Sequence, residues 1–180
     1  VASGAALLTW MLIEWLKVGK PTLVGGCTGL VTGLVAITPA AGFVEPWAAI
    51  LMGLATAIAC FFAISFWKKH FGYDDALDAF GCHAVGGIVG GVLTGLFCIP
   101  QLSHTDKGGL FYTGDPSLLV SQVLGIVFTV VFVVILALAI GWIVKALFKG
   151  DLRVSESDEA IGLDISEHGE SAYPAYGGLD

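Results

Sequence analysis

Charge is in short supply in this sequence. Lys, Arg, Asp and Glu make up 13% of its 180 residues, where about 25% is usual for a water-soluble domain. A chain whose whole surface faces water is therefore excluded. Basic residues are the scarcer kind, with 8 Lys plus Arg against 15 Asp plus Glu and a net charge of −7. That balance offers no surface for nucleic acid. Four cysteines, Cys27, Cys60, Cys82 and Cys98, have no CxxC or zinc-like spacing, which removes a thiolate metal site and leaves small apolar packing residues. HExxH and GxSxG are absent too, so two common signatures of hydrolytic enzymes are missing. No enzyme activity, metal or cofactor is expected.

What the sequence has is apolar length. Hydrophobic residues make up 56% and the mean hydropathy is +0.87. A helix needs about 20 apolar residues to cross a bilayer, and residues 23–43, 46–67, 76–99 and 118–147 qualify. A fifth stretch, Val1 to Leu16, begins inside an apolar helical pattern. It has neither a basic leader nor a cleavage site, so it does not read as a signal peptide. The chain is expected to be the C-terminal part of a longer protein, with a membrane bundle over 1–148 and a polar tail over 149–180. Basic residues in short loops mark the cytoplasmic side. Lys17, Lys20, Lys68, Lys69, Lys145, Lys149 and Arg153 fall at one face, and only Lys107 at the other. The tail, which carries eight of the acids, is thus expected in the cytoplasm. Trp15, Trp67 and Trp142 suit the membrane interface.

Small residues supply the packing signal. Gly25, Gly29 and Gly33 recur every four residues, as do Gly87, Gly91 and Gly95, with Gly86 and Gly90 beside them. In lipid such faces let helix backbones approach closely. A glycine face beside a polar residue also allows a narrow passage. Pro39 and Gly42 should end or break the second helix.

One stretch concentrates chemistry: "DDALDAFGCHAVGGIVGG", from residue 74. Tyr73, Asp74 and Asp75 read as a helix start, where a carboxylate accepts orphan backbone N–H groups. Asp78 is expected one turn deeper, and His83 about 12 Å along the axis from Asp75. An ionisable group at that depth marks a functional site by default. Its helical neighbours Ala79, Phe80, Gly86 and Gly87 include no metal ligand and no acid. Asp78 and His83 would lie about 140° apart on a helix, which argues against a shared catalytic pair. A lone imidazole in an apolar wall rejects ions through their desolvation cost and can still donate one hydrogen bond and accept another. Small neutral polar molecules would pass. His70 and His104 read as ordinary loop residues.

"GLVAITPAAGFV", "DDALDAFGCHAVGGIVGG" and "GLDISEHGESAY" together resemble the C-terminal half of the ammonium transporter (Amt) family, bacterial relatives of the Rhesus proteins. The resemblance implies an all-α, polytopic membrane bundle, with these spans the last five of eleven helices in an inverted-repeat channel fold. It implies a homotrimer in the inner cell membrane, with a pore through each subunit. Ammonium would be recruited outside and deprotonated, ammonia passed along a hydrophobic pore with two hydrogen-bonded histidines, and a proton returned inside. His83 matches the second histidine of that pair; the first would belong to the half not present here. Thr28, Val31 and Ala79 match the pore's inner region, Ala79 being smaller than the branched residue often found. Asp75 and Asp78 match acids of the helix start and inner vestibule. The tail, with Gly162, His168, Gly169, Glu170 and Tyr173, matches a segment that packs under the trimer. There it takes part in control by a PII-type signalling protein. By the same matching, Gly162 and Gly169 would allow turns while Ile165 and Tyr173 anchor by burial. Ammonium, the bilayer, further copies of the chain and the PII-type protein are the implied partners. A Rhesus-type gas channel and an ammonium sensor are the nearest alternatives, and an intramembrane enzyme the most remote.

Overall fold

A computed structural model describes residues 1–103, 105, 107–150 and 152–171. Among them every regular element is helical. The long helices are α1 (Ala2–Val18), α2 (Leu23–Ile37), α3 (Pro46–Phe71), α4 (Phe80–Phe97) and, after the short α5 (Leu110–Thr113), α6 (Ser117–Leu147). Two short tail helices follow, α7 (Glu156–Ile161) and α8 (Leu163–Ser166). Each predicted span holds one long helix. By length and composition α3, α4 and α6 can each cross a membrane. Residues 1–130 form one compact unit and residues 131–180 a second.

Two predicted boundaries are corrected. The second span was expected to run to residue 43, yet α2 stops at Ile37. Pro39 has no N–H to offer the ladder, so turns replace the helix. Ala41 N–H donates to Ile37 O at 2.7 Å, and Gly42 takes φ 86°. The fourth span was expected to begin at residue 76, but helical geometry starts three residues later. Asp78, at φ 54°, holds a left-handed conformation that a helix start at 76 would forbid.

In the first unit the helices meet through their glycines. A Cβ on Gly29 would lie 2.5 Å from Trp10 Cβ, and one on Gly33 2.6 Å from Ser3 Cα, both on α1. On α4, a Cβ on Gly90 would press into the Ala36 backbone and one on Gly95 would come within 2.8 Å of Leu119 Cα. Gly87 is different, with nothing within 4 Å of its would-be Cβ. It is not part of the packing stripe. Around these contacts sit two small cores: Trp10, Cys60, Phe61, Ala63 and Val85 in one, Ala40, Ala48, Met52 and Phe97 in the other. Trp10 meets Phe61 edge-on at 5.1 Å. Cys60, Cys82 and Cys98 are buried free thiols, the packing role expected of them, whereas Cys27 is exposed.

Asp115 starts α6. Its carboxylate accepts Ser117 N–H at 2.9 Å and Ser117 Oγ–H at 2.7 Å. These two bonds, the hydroxyl one first, hold its pKa below the usual carboxylate value. A lowered folded pKa means a contribution present above the unfolded value of about 3.9 and lost as pH falls through the folded one. In an NMR titration the Ser117 amide should therefore move with a midpoint below that reference. A midpoint at or above it removes the cap.

In the second unit the tail has its own local order. Ser155 Oγ accepts Asp158 N–H at 3.2 Å and caps α7. Arg153 grips Glu159 through Nε at 3.1 Å and Nη2 at 2.9 Å. Gly162 at φ 103° separates α7 from α8, and Gly169 at φ 66° follows. His168 N–H donates to Leu163 O at 3.1 Å and Glu170 N–H to Asp164 O at 2.8 Å. Ile165, expected to be buried, is 55% exposed; α8 is a single turn and has no second apolar layer of its own to cover it. Tyr173 and His104 lie outside the described residues.

Candidate functional site: an uncharged groove beside His83

His83 sits in a π-helical turn, Phe80–Ala84, that opens α4. Turns of this kind widen the helix by one residue and recur at functional sites. The Asp75 carboxylate sets the start, its Oδ2 accepting Phe80 N–H at 3.0 Å and Gly81 N–H at 3.3 Å. The carboxylate cap expected from the sequence is present, delivered from further back because the chain turns through residues 76–78. Lys68, at the far end of α3, holds that turn. Its Nζ donates to Asp75 O at 2.6 Å and to Asp78 Oδ1 at 2.8 Å. Asp78 O in turn accepts Cys82 N–H at 2.9 Å. Asp75 and Asp78 thus shape the ground beneath His83 rather than line a cavity themselves. Asp78 is not one helical turn deeper than Asp75, as the sequence suggested, because it precedes the helix.

Between α2 and the start of α4 lies a groove of about 520 Å³. Leu23, Val24, Cys27, Thr28, Val31, Leu77, Ala79, Cys82 and His83 line it. It brings together His83, Thr28, Val31 and Ala79, the four residues assigned to the pore. None of the nine lining side chains is a carboxylate, lysine or arginine. His83 is exposed to this space. Thr28 Oγ–H is committed to Val24 O at 2.9 Å, which leaves its oxygen as an acceptor only. The imidazole is then the one nitrogen-bearing side chain on the groove wall. Among the described residues no cluster of His, Cys, Asp and Glu is suited to a metal ion.

Glu14 was missed in the sequence reading and controls the other wall. Its Oε2 accepts Thr22 N–H at 2.7 Å, and Trp10 Nε1–H donates to Oε1 at 3.3 Å. Thr22 Oγ in turn accepts Gly25 N–H at 2.9 Å. The carboxylate satisfies orphan donors at the start of α2 and complements its positive end. A side chain at Gly25 would collide with that carboxylate. A lone acid within the first apolar stretch was the signal available in the sequence.

Comparisons with known proteins point to one family. A family model described as Ammonium Transporter Family matches residues 1–173. The chain is 47% identical over 172 residues to an ammonium transporter of Bacillus subtilis, covering 96% of this chain and 42% of that protein. It is 49% identical over 173 residues to one of Aquifex aeolicus, covering 96% and 40%. The crystal structure of a Mep2 mutant from Candida albicans superposes with a TM-score of 0.76 at 32% identity. That match covers 87% of this chain and 35% of the fungal one. The chain therefore spans about two-fifths of the length of the relatives it matches. Its helices are those of a multi-pass membrane protein of channel fold, and the chain belongs to the ammonium transporter family.

Proposed function

We propose that the protein to which this chain belongs transports ammonium, and that the His83 groove is one wall of the conducting path. The observation that carries the reading is the make-up of that wall. Nine residues from α2, α4 and the turn before it line a continuous space without a charged group, with one imidazole among them. Ammonium and potassium are similar in size, so selection between them can rest on the proton that only ammonium can shed. An uncharged wall imposes the desolvation cost on any cation, while an imidazole gives ammonia a donor and an acceptor. His83 works as a stepping stone and shares a proton path with a second histidine contributed from outside residues 1–180. Thr28, Val31 and Ala79 shape the inner part of the path; Asp75 and Asp78 hold its rim. Saturable methylammonium uptake into liposomes holding the full-length protein tests the reading. His83→Ala should cut that uptake at least about fivefold, and an unaltered rate sinks the proposal.

The same reading places the protein as a homotrimer in the inner cell membrane, with residues 1–148 in the bilayer. Residues 149–180 form a cytoplasmic regulatory tail that meets a PII-type signalling protein. Support for an ordered tail comes from its caps and its Arg153–Glu159 clasp. Truncation after Glu156 removes Asp158 and Glu159 and should leave insertion and assembly intact. Transport should fall, or lose its response to the PII-type protein. Wild-type uptake together with wild-type regulator affinity would make the tail a mere solubilising extension.

A further inference from the structure

The two faces of α2 have separate tasks. Gly25, Gly29 and Gly33 turn toward α1, where an added Cβ would strike the Glu14 carboxylate, Trp10 and Ser3 in turn. Val24, Cys27, Thr28 and Val31 line the His83 groove. At about 3.6 residues per turn the two stripes are centred roughly 150° apart. A rotation or tilt of α2 on its α1 seat is therefore passed straight to the groove wall. Glycines allow the close approach, but a stripe without side chains has no knob to stop the helix from turning.

Glu14, half-buried one turn before the end of α1, supplies bonds that fix the seat. Its Oε2 accepts Thr22 N–H at 2.7 Å. Thr22 Oγ lies 3.2 Å from both carboxylate oxygens. Its hydroxyl hydrogen goes to the carboxylate, which turns the oxygen's lone pairs to Gly25 N–H at 2.9 Å. One side chain thus holds the N-cap of α2 directly and its third residue at one remove. On the other side Oε1 accepts Trp10 Nε1–H at 3.3 Å, and Trp10 is buried in the core with Phe61. The carboxylate ties the start of α2 to a packed residue.

The residues next in the chain give this clamp its consequence. Leu23 and Val24, directly after Thr22, belong to one wall of the groove, and Leu77 and Ala79 to the other. The distance between those walls limits the size of a molecule that passes. We propose that Glu14 is a positioning residue: acting through Thr22 and Gly25, it sets the width of the His83 groove and hence the largest amine the path admits. The inference rests on the conducting role proposed for that groove.

Two measurements on the full-length protein test it, one of transport and one of geometry. In liposomes, Glu14→Ala should lower the preference for methylammonium over propylammonium about tenfold, the equivalent of one lost hydrogen bond to a charged group. Glu14→Gln keeps an oxygen for Thr22 N–H and should stay within about threefold of wild type. Thr22→Val removes only the hydroxyl relay to Gly25, and its preference should fall by about threefold. Geometry is read at Cys27, the exposed thiol on the same wall. Its labelling by a bulky methanethiosulfonate relative to a small one, followed by mass spectrometry of the Cys27 peptide, should rise at least about fivefold in Glu14→Ala. If that variant fails to assemble, Thr22→Val carries both measurements with the same direction of change. Unchanged relative labelling overturns the positioning role and leaves the groove's function standing. Increased labelling with an unchanged amine preference overturns the conducting role on which the inference rests. A uniform fall in uptake of every amine, with wild-type preference and labelling, makes Glu14 a purely structural acid and overturns the proposal as well.

Discussion

Replacing His83 with alanine in the full-length protein should cut saturable methylammonium uptake by about fivefold to 160-fold. The estimate follows from the groove. Of its nine lining side chains, Thr28 spends its hydroxyl hydrogen on Val24 O, thiols donate weakly, and the rest apart from His83 are apolar. Removing the imidazole leaves a polar substrate without a donor for about one step of its passage. A polar group left unpaired in such surroundings costs about 1–3 kcal/mol, and each 1.36 kcal/mol is a factor of ten in rate. His83→Glu should behave differently. An anion in that wall offsets the desolvation of a cation, so potassium current should appear in liposome recordings where wild type has none. Silence toward potassium in that variant, combined with near-normal uptake in His83→Ala, would mean that selection happens elsewhere in the protein.

The membrane-bundle character and the depth of His83 were legible in the sequence because they rest on short-range signals. Apolar length marked the spans, and helical spacing marked Gly29 and Gly33 as contact points against α1. The family resemblance, rather than spacing, put Thr28, Val31 and Ala79 near His83, and all four line one groove. What could not be read depends on side chains reaching across sequence. Asp78 looked like a helical residue, because nothing local says that Lys68, ten positions earlier, will hold it outside the helix at φ 54°. Glu14 went unread, because its partner Thr22 lies across a turn, eight residues on. Gly87 looked equal to its neighbours. Periodicity assigns a residue to a face but does not say what stands opposite that face. Here it faces open space, one helical turn beyond His83, while Gly86 meets Val35 and Gly90 meets Ala36.

That difference between neighbouring glycines yields a large expected effect on stability. A Cβ on Gly90 would stand 2.9 Å from Ala36 Cα and 3.0 Å from its carbonyl carbon, and closer still to the oxygen. These are backbone atoms, which cannot rotate aside as a side-chain tip can. Gly90→Ala therefore has to push α2 and α4 apart along their whole contact. Forced overpacking costs about 1–3 kcal/mol even in forgiving cores. In lipid the loss is not recovered by burying apolar surface elsewhere, because acyl chains are as apolar as the core. At about 2–4 °C per kcal/mol for a unit of this size, detergent-solubilised full-length protein should melt about 2–12 °C lower. Gly87→Ala, three residues away on the same helix, should leave the melting temperature unchanged. A shared loss at both positions would show that a segment outside residues 1–180 packs against Gly87. An intact melting temperature for Gly90→Ala would show that the approach of α2 to α4 is looser than the Ala36 contact requires. Separation of these helices also widens the groove, since α2 carries Thr28 and Val31 and α4 carries His83. Any Gly90→Ala protein that still inserts should therefore lose discrimination between methylammonium and larger amines before it loses uptake. Uptake measured across a size series of alkylammonium ions separates that outcome from simple unfolding, in which all substrates fail together.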